Sequence, residues 1–441
     1  MITSKGYALI IVVVVTLIVS FFIGLMTAQI IYNRYSIKNQ IQRIQSLYTA
    51  ESGIKKALFY LKEDPKKGIE WRTGNPLSDR PIKEKLFYNK NEETEISVLD
   101  DCGYLKIRAK AMGRYPKFIE AMVAGIIPDE LKTNLWMVSD KPLILGNRGQ
   151  LNGRIKINQE PVFRGGGIEG IIETDATLSL PVVSANLFTN SINYFRYLLS
   201  RPGEFERELF SAQVFSPQRK FMAKKFFVND AILIENKNFD SLWNAGENFT
   251  IASTAEIQIS GLTKIKNSTI IAIGPIKILD KTNIKFSKVY SETSIELGDE
   301  TDFSGVLIAP EIKILNRAKT TQPSVLFSGP PFKKGRIIFN SRARAYSNAI
   351  NLCSGSNSFI EIKEYAEIEG LIYSIAPIIH NGKINGFVYS SGFYGLPLTE
   401  DTTNTNVLNG IIQPLSDSDY FIIPVLFNNI RDFKVIQWQE Y

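Results

Sequence analysis

The chain has 441 residues, a formal net charge of +7, two cysteines and one histidine. That length supplies a core able to stand without disulfide support. The lone His380 excludes metal sites built on several histidines, and basic residues dispersed among acidic ones exclude a nucleic-acid stripe, so no nucleic acid, metal or cofactor is expected.

In chain order, the first element is an apolar run over 7–31, behind the short leader MITSKG. At about 1.5 Å per residue, 20 such residues cross a bilayer core of roughly 30 Å, whereas a secretory core segment needs only about 7–15. A membrane-spanning helix is therefore expected over 7–31, ahead of a cleaved signal peptide; the nearest cleavage candidate, Met26-Thr27-Ala28, is a poor one. The apolar pattern continues over 32–62 through Tyr35, Ile37, Ile41, Ile44, Tyr48, Ile54, Leu58 and Leu61 at helical spacing, and no proline precedes Pro65. One continuous helix with an amphipathic second half is predicted, the alternative being an anchor followed by a separate short helix. Charge does not settle orientation: Lys5 lies on one side and Arg34, Lys38 and Arg43 on the other, and a simple count even favours the opposite topology to an exported C-terminal region.

Lys5-Gly6 followed by an aromatic and aliphatic run resembles the cleavage region of type IV pilins and pseudopilins. The segment Tyr48–Leu58, with Ala50, Glu51, Gly53, Ala57 and Leu58, is similar to the A-E-x-G-x-x-x-A-L signature of PilX-like minor pilins and K-type pseudopilins of type II secretion. The resemblance covers roughly 1–127. It implies cutting by a prepilin peptidase between Gly6 and Tyr7, methylation of the new terminus, and insertion in the bacterial inner membrane beside other pilin-like subunits. One departure bears on assembly: shaft pilins carry Glu at the fifth mature position, where this chain has Ile11; lack of that acid is a feature of K-type tip subunits and some minor pilins, and equally fits an anchor that is never assembled.

Residues 63–127 begin with a polar, Pro- and Lys-rich stretch (Pro65, Pro76, Pro81), and 94–127 then alternate as short strands broken by Gly103 and Gly113. The resemblance implies a small antiparallel sheet packed on the amphipathic half of the helix, which would account for apolar Ile41, Ile44, Ile54 and Leu58. From 128 to 441 the texture changes to Ile/Val/Phe strands between Gly, Asn, Asp and Ser turns. Ile257-Gln-Ile259, Ile276-Lys-Ile278, Ile295-Glu-Leu297 and Ile312-Lys-Ile314 recur at 17–19 residues, with a later copy at Ile360-Glu-Ile362. That repeat fits a β-solenoid, read as a right-handed parallel β-helix; composition also allows a β-sandwich. Residues 134–157 and 162–180 read as earlier coils, and 186–229 as a partly helical excursion. The expected fold is thus α+β in the N-terminal region, a long helix with a small sheet, followed by a mainly β domain.

Catalytic signals are weak. His380, in HNGKING, reads as a turn residue. Gly165-Gly166-Gly167-Ile168-Glu169-Gly170 matches GxGxxG, but a strand pattern follows it where a phosphate site needs a helix, so tight solenoid turns are expected. Asp299, Glu300 and Asp302 do not have calcium-loop spacing. Glu361, Glu364, Glu367 and Glu369 read as one polar face, and Cys102 and Cys353 as free, structural thiols. Two function classes follow: a membrane-inserted pilin-like minor subunit at a filament tip, displaying the solenoid to a surface, polysaccharide or exported protein, and a membrane-anchored carbohydrate-active β-helix enzyme using paired carboxylates. An anchored surface protein that never assembles is the third reading.

Overall fold

The computed structural model describes residues 4–63, 81–85, 93–205, 207–209, 213–215, 225–235, 249–394, 406–415, 421–425, 427, 430 and 432–440. Residues 1–3 of the expected leader, together with Pro65 and Pro76, lie outside them. The first element is one helix, α1 (Ser4–Glu63), of 60 residues. No proline interrupts it, and its first half is apolar on every side and uncovered, with a mean hydropathy of 3.1 in its most apolar window. It is long and apolar enough to cross a membrane by length and composition.

The second half of α1 packs on a small antiparallel sheet. Strands β1 (Ile82–Lys85), β2 (Glu93–Asp101), β3 (Tyr104–Ala111) and β4 (Phe118–Ile126) lie in sequence order. Ala50, Ile54 and Ala57 of α1 share one core with Ile96, Val98, Ile107, Ala109, Ala121 and Val123 of the sheet. The sheet's cover on α1 begins near Ser46, which is buried. Ile41 and Ile44 stand before it and remain about half exposed, at 50% and 52%. The expectation that all four of Ile41, Ile44, Ile54 and Leu58 pack under the sheet holds only for the last two.

The sheet's fifth position is filled from the far end of the chain. Phe433–Glu440 runs antiparallel to β4, with Lys434 opposite Ala124 and Trp438 opposite Ala121, and Ile422–Ile423 pairs with β4 as well. The division at 127/128 therefore needs correction: the β domain is inserted into the head sheet, between β4 and its last strand. A strand that arrives from about 300 residues away completes the head, because β4 would otherwise leave a row of unpaired backbone groups at its edge.

Within that insertion lies the β-solenoid. Short strands stack in parallel into a ten-stranded sheet among the described residues, and longer, kinked strands stack into a second parallel sheet facing it. The register of the first sheet runs Ile257, Ile276, Ile295, Ile312, Ile337, Ile360, Ile378 in one column and Ile259, Ile278, Leu297, Ile314, Phe339, Ile362, His380 in the next. All of these side chains fill a single lumen. Between the two sheets five successive coils turn at a left-handed residue: Asp280, Glu300, Arg317, Arg342 and Tyr365 have φ between 59° and 66°. A small buried residue follows each of them, namely Thr282, Thr301, Ala318, Ala343 or Ala366, always four positions after the second residue of the Ile-x-Ile pair. The turn needs a residue that fits beneath the coil above, and Thr282 further ties it by donating to the Leu279 carbonyl at 2.6 Å.

The same corner divides the four glutamates. Glu361 belongs to a strand of the first sheet, Glu364 to the turn, and Glu367 and Glu369 to a strand of the second sheet, so the single polar face expected for them does not form. His380 is corrected too. It ends the strand Ile378–His380, 1% exposed in the lumen, with neither ring nitrogen hydrogen-bonded. Burial pushes its imidazole down to about 3. The unfolded chain takes up this proton near pH 6.5 and the folded chain does not. Stability should therefore be insensitive to His380 above about pH 6.5 and fall as pH drops from there toward 3. His380→Leu is expected to flatten that acid limb in urea melts taken between pH 7 and 4; identical limbs for the two proteins would contradict it.

The coils do not stack in chain order. The strand Lys383–Ser390 is followed by a composite layer: Ile411–Gln413 pairs with its first half and Leu135–Met137 with its second. Gln150–Ile157 stacks on both, and Gly167–Thr174 stacks on that. The segments 134–157 and 162–180, read as earlier coils, are coils, yet they lie beyond the last ones. Helix α2 (Asn186–Leu199) then runs along the outside, and the strand Arg207–Leu209 starts the opposite end. Among the described residues of the excursion at 186–229, helix is confined to the first part.

Where the second sheet faces α2 and the head, it is apolar on both sides. One outward column reads Phe227, Ala252, Ile271, Tyr290, Ile308, Phe327, Ile350, Tyr373, Tyr389 and Trp136. Phe188 of α2 stacks on Phe327 at 3.8 Å between ring centroids, and Phe427 meets Tyr373 and Tyr389. Strands covered on both faces carry apolar residues at consecutive positions, which is why runs such as Gly305-Val306-Leu307-Ile308 do not alternate.

Candidate functional site

The residues singled out in the sequence fall into two places on α1. Gly6 and Tyr7 lie in its first turn, and Ile11 follows on the uncovered apolar half, 57% exposed. The signature lies roughly 60 Å further along the helix. Ala50, Gly53 and Ala57 recur at intervals of three and four, so they share one face, and that face meets the sheet. A Cβ at position 53 would stand 2.9 Å from Thr94 Cγ2 and 3.0 Å from Ala109 Cβ. Small residues are needed there because the helix backbone lies directly on β2 and β3. Leu58 is partly buried against the same core, whereas Glu51 sits on the flank in an ion pair with Lys55 at 3.0 Å. The signature thus forms a helix–sheet seam, with its Glu tied to Lys55 on the helix itself.

A second constellation joins head and solenoid, and it has no local signature in the residues. The hairpin between β2 and β3 turns at Cys102 and Gly103, both with positive φ, and its tip enters the gap beneath α2. The Cys102 amide donates to Ser191 Oγ at 2.9 Å, while a Cβ on Gly103 would strike the Phe188 ring at 2.4 Å. Beside this tip, Lys288 Nζ of the solenoid donates to Asp101 Oδ2 at 2.6 Å, with the two side chains 19% and 12% exposed. Lys106 pairs with Glu120 at 2.6 Å and stands 3.6 Å from Asp101. Burial alone would push the Asp101 carboxyl up, but the ammonium of Lys288, backed by Lys106, outweighs it and holds the group down at about 2. Burial likewise works against the charge on Lys288, and Asp101 more than offsets it, so the ammonium titrates above its usual range. Such a pair fixes the solenoid to the head in one orientation. The signal was absent from the sequence because the partners are 187 residues apart and each is one charge among many.

The motifs examined for chemistry have structural placements. Gly165 takes φ 106°, a Cβ on Gly166 would lie 2.3 Å from the Gly149 carbonyl oxygen, and the strand Gly167–Thr174 follows, as expected for a tight solenoid turn. Asp299 and Glu300 both pair with Arg317, at 3.3 and 3.1 Å, and Asp302 pairs with Lys285 at 2.7 Å. Elsewhere on the solenoid, Glu256 is held by Lys277 at 2.8 Å and Glu311 by Lys313 at 2.6 Å. Cys102 and Cys353 are buried and unbridged; burial raises their thiols to about 12 and about 11.

No protein-family model and no curated protein matches the chain. Among solved structures, the crystal structure of competence-associated pilin ComZ from Thermus thermophilus is similar over 90% of this chain and 97% of that one, with 9% identity and a TM-score of 0.20. A similarity at that score carries no inference about this chain. The architecture itself is a long N-terminal helix, a small antiparallel sheet in the pilin-like arrangement, and a β-solenoid inserted into that sheet.

Proposed function

We propose that this chain is a pilin-like minor subunit, held in the bacterial inner membrane by α1 with its C-terminal region exported, and placed at the tip of a type IV pilus or type II secretion pseudopilus. The observation that carries the reading is the division of labour along α1. Its second half is covered by the head through Ala50, Gly53 and Ala57, while its first half and the stripe Ile37, Ile41, Ile44 and Tyr48 are left exposed. The run over 7–31 suits a bilayer, and the stripe beyond it suits helices of neighbouring pilin-like subunits. Ile11 has no charge with which to meet the terminal amine of a subunit above it, so the chain is read as a first or tip subunit. Its own Tyr7 amine, freed by a prepilin peptidase, would receive the acid of the next.

The solenoid then serves to bind a surface, a polysaccharide or an exported protein, and the chain is not an enzyme in this reading. Support for binding over catalysis comes from the solenoid's carboxylates: Glu256, Asp299, Glu300, Asp302 and Glu311 are all engaged by basic side chains, which suits structural charge ladders better than an acid–base pair. Gold-labelled antibody raised against the solenoid should mark filament ends, or the envelope sparsely. Regular labelling along filament sides would rule out the tip position.

A further inference from the structure

At one end the solenoid finishes without a polar cap. Gly167–Thr174 pairs with Gln150–Ile157 alone and Val162–Phe163 with Leu143–Leu145 alone, among the described residues. Register sets Phe163, Ile168 and Ile172 over the buried Leu145, Leu151 and Ile155, so they extend the lumen's apolar columns. Among the described residues nothing lies above them: Phe163 is 54% and Ile172 39% exposed, and Ile171, on the outward side, is 67% exposed. A terminal repeat ordinarily presents a polar outer side, and this one presents the open end of the core.

The backbone there is open as well. The Asp175 amide donates to the Ile157 carbonyl at 3.0 Å. Alternation along a parallel ladder then turns the amides of Ile172 and Thr174 away from Gln150–Ile157, toward the free side. Charge on this last coil is one-sided. Glu160, Glu169, Glu173 and Asp175 face Arg164 as the only base within 158–176. The nearest bases of the layer beneath, Arg154 and Lys156, are both engaged by Glu173, at 2.9 and 3.3 Å.

We propose that this edge accepts one extended segment of a partner polypeptide as an added strand, its apolar side chains at alternate positions closing the lumen over Phe163, Ile168 and Ile172 and its intervening residues basic. Strand addition draws affinity from main-chain hydrogen bonds and specificity from alternate side chains, and both are on offer here. A second copy of this chain is disfavoured, since two such edges brought together would set Glu169 and the acidic balance of the coil against their like. Those acids also protect the edge from random pairing. The edge shares no residue with the apolar half of α1, so the proposal does not rest on the chain entering a filament.

The test uses the full chain in detergent micelles and a fluorescent ten-residue peptide alternating valine and lysine, with a valine–glutamate peptide and a block-ordered valine–lysine peptide as comparisons. The alternating valine–lysine peptide should bind best, and 0.5 M salt should weaken it. Thr174→Pro, which removes an edge-facing amide at a position where an edge strand tolerates proline, should weaken it at least tenfold with the melting curve unchanged. Ile172→Lys, which places a charge on the open end, should do the same and serves if the proline variant does not fold. Equal binding by these variants, no preference among the peptides, or self-association that Thr174→Pro abolishes would each overturn the proposal.

Discussion

Ile276→Asp and Ile278→Asp should each remove the cooperative unfolding transition of the full chain in detergent, or shift it by several kcal/mol, while Lys277→Ala leaves it within about 1 kcal/mol. Both isoleucines are fully buried in the lumen, Ile276 stacked between Ile257 and Ile295 and Ile278 between Ile259 and Leu297. A carboxylate there has neither water nor a basic partner. Whether it stays charged or takes up a proton, the cost approaches the roughly 5–15 kcal/mol by which a domain is stable. Lys277 alternates with them, points outward and pairs with Glu256, so its loss costs only a surface ion pair. Chemical unfolding followed by circular dichroism checks the set. An Asp at 276 or 278 no more damaging than Ala at 277 would show the register to be wrong.

Lys288→Met is expected to cost about 3 kcal/mol or more, because it leaves the buried Asp101 carboxylate with only the longer 3.6 Å ion pair to Lys106, which Glu120 shares. Asp101→Asn combined with Lys288→Met should recover much of that loss, since removing both charges abolishes the desolvation penalty along with the attraction. The pair also sets a pH dependence. A carboxyl held at about 2 in the folded chain and near 3.9 when unfolded contributes stability above the latter value, and that contribution is lost as pH falls through about 2. Urea melts of the two single variants and the double variant measure the coupling. A Lys288→Met loss below about 1 kcal/mol would mean that the pair does not lock the solenoid to the head.

What could be read from the residues was whatever repeats along the chain or at helical spacing. The Ile-x-Ile columns were visible because each coil places the same residues at the same step; Ala50, Gly53 and Ala57 were visible only through the resemblance to the A-E-x-G-x-x-x-A-L signature, and the packing that requires small residues there is set by the sheet. A further regularity was present and went unread: the Thr or Ala four residues after each pair, which marks the coil's corner. It shows only once the pairs are aligned at unequal spacing. The order of stacking left no local trace. Leu135–Met137 and Ile411–Gln413 form one layer from opposite ends of the insertion, and a parallel ladder looks the same in sequence whichever strand lies above it. The C-terminal strand was misassigned for the same reason. Ile41 and Ile44 were recognised as apolar, but periodicity says that a face is to be covered and does not say by what. His380 was misread because polar residues in HNGKING resemble a turn, while its place is set by the column that ends there.

Processing tests the proposed function most directly, since that reading requires the chain to be cut after Gly6 before its helix enters an assembly. Mass spectrometry of the protein extracted from the membranes of cells with an active prepilin peptidase should find Tyr7 as the first residue, carrying an N-methyl group. An intact chain beginning at Met1 in those cells would contradict the account.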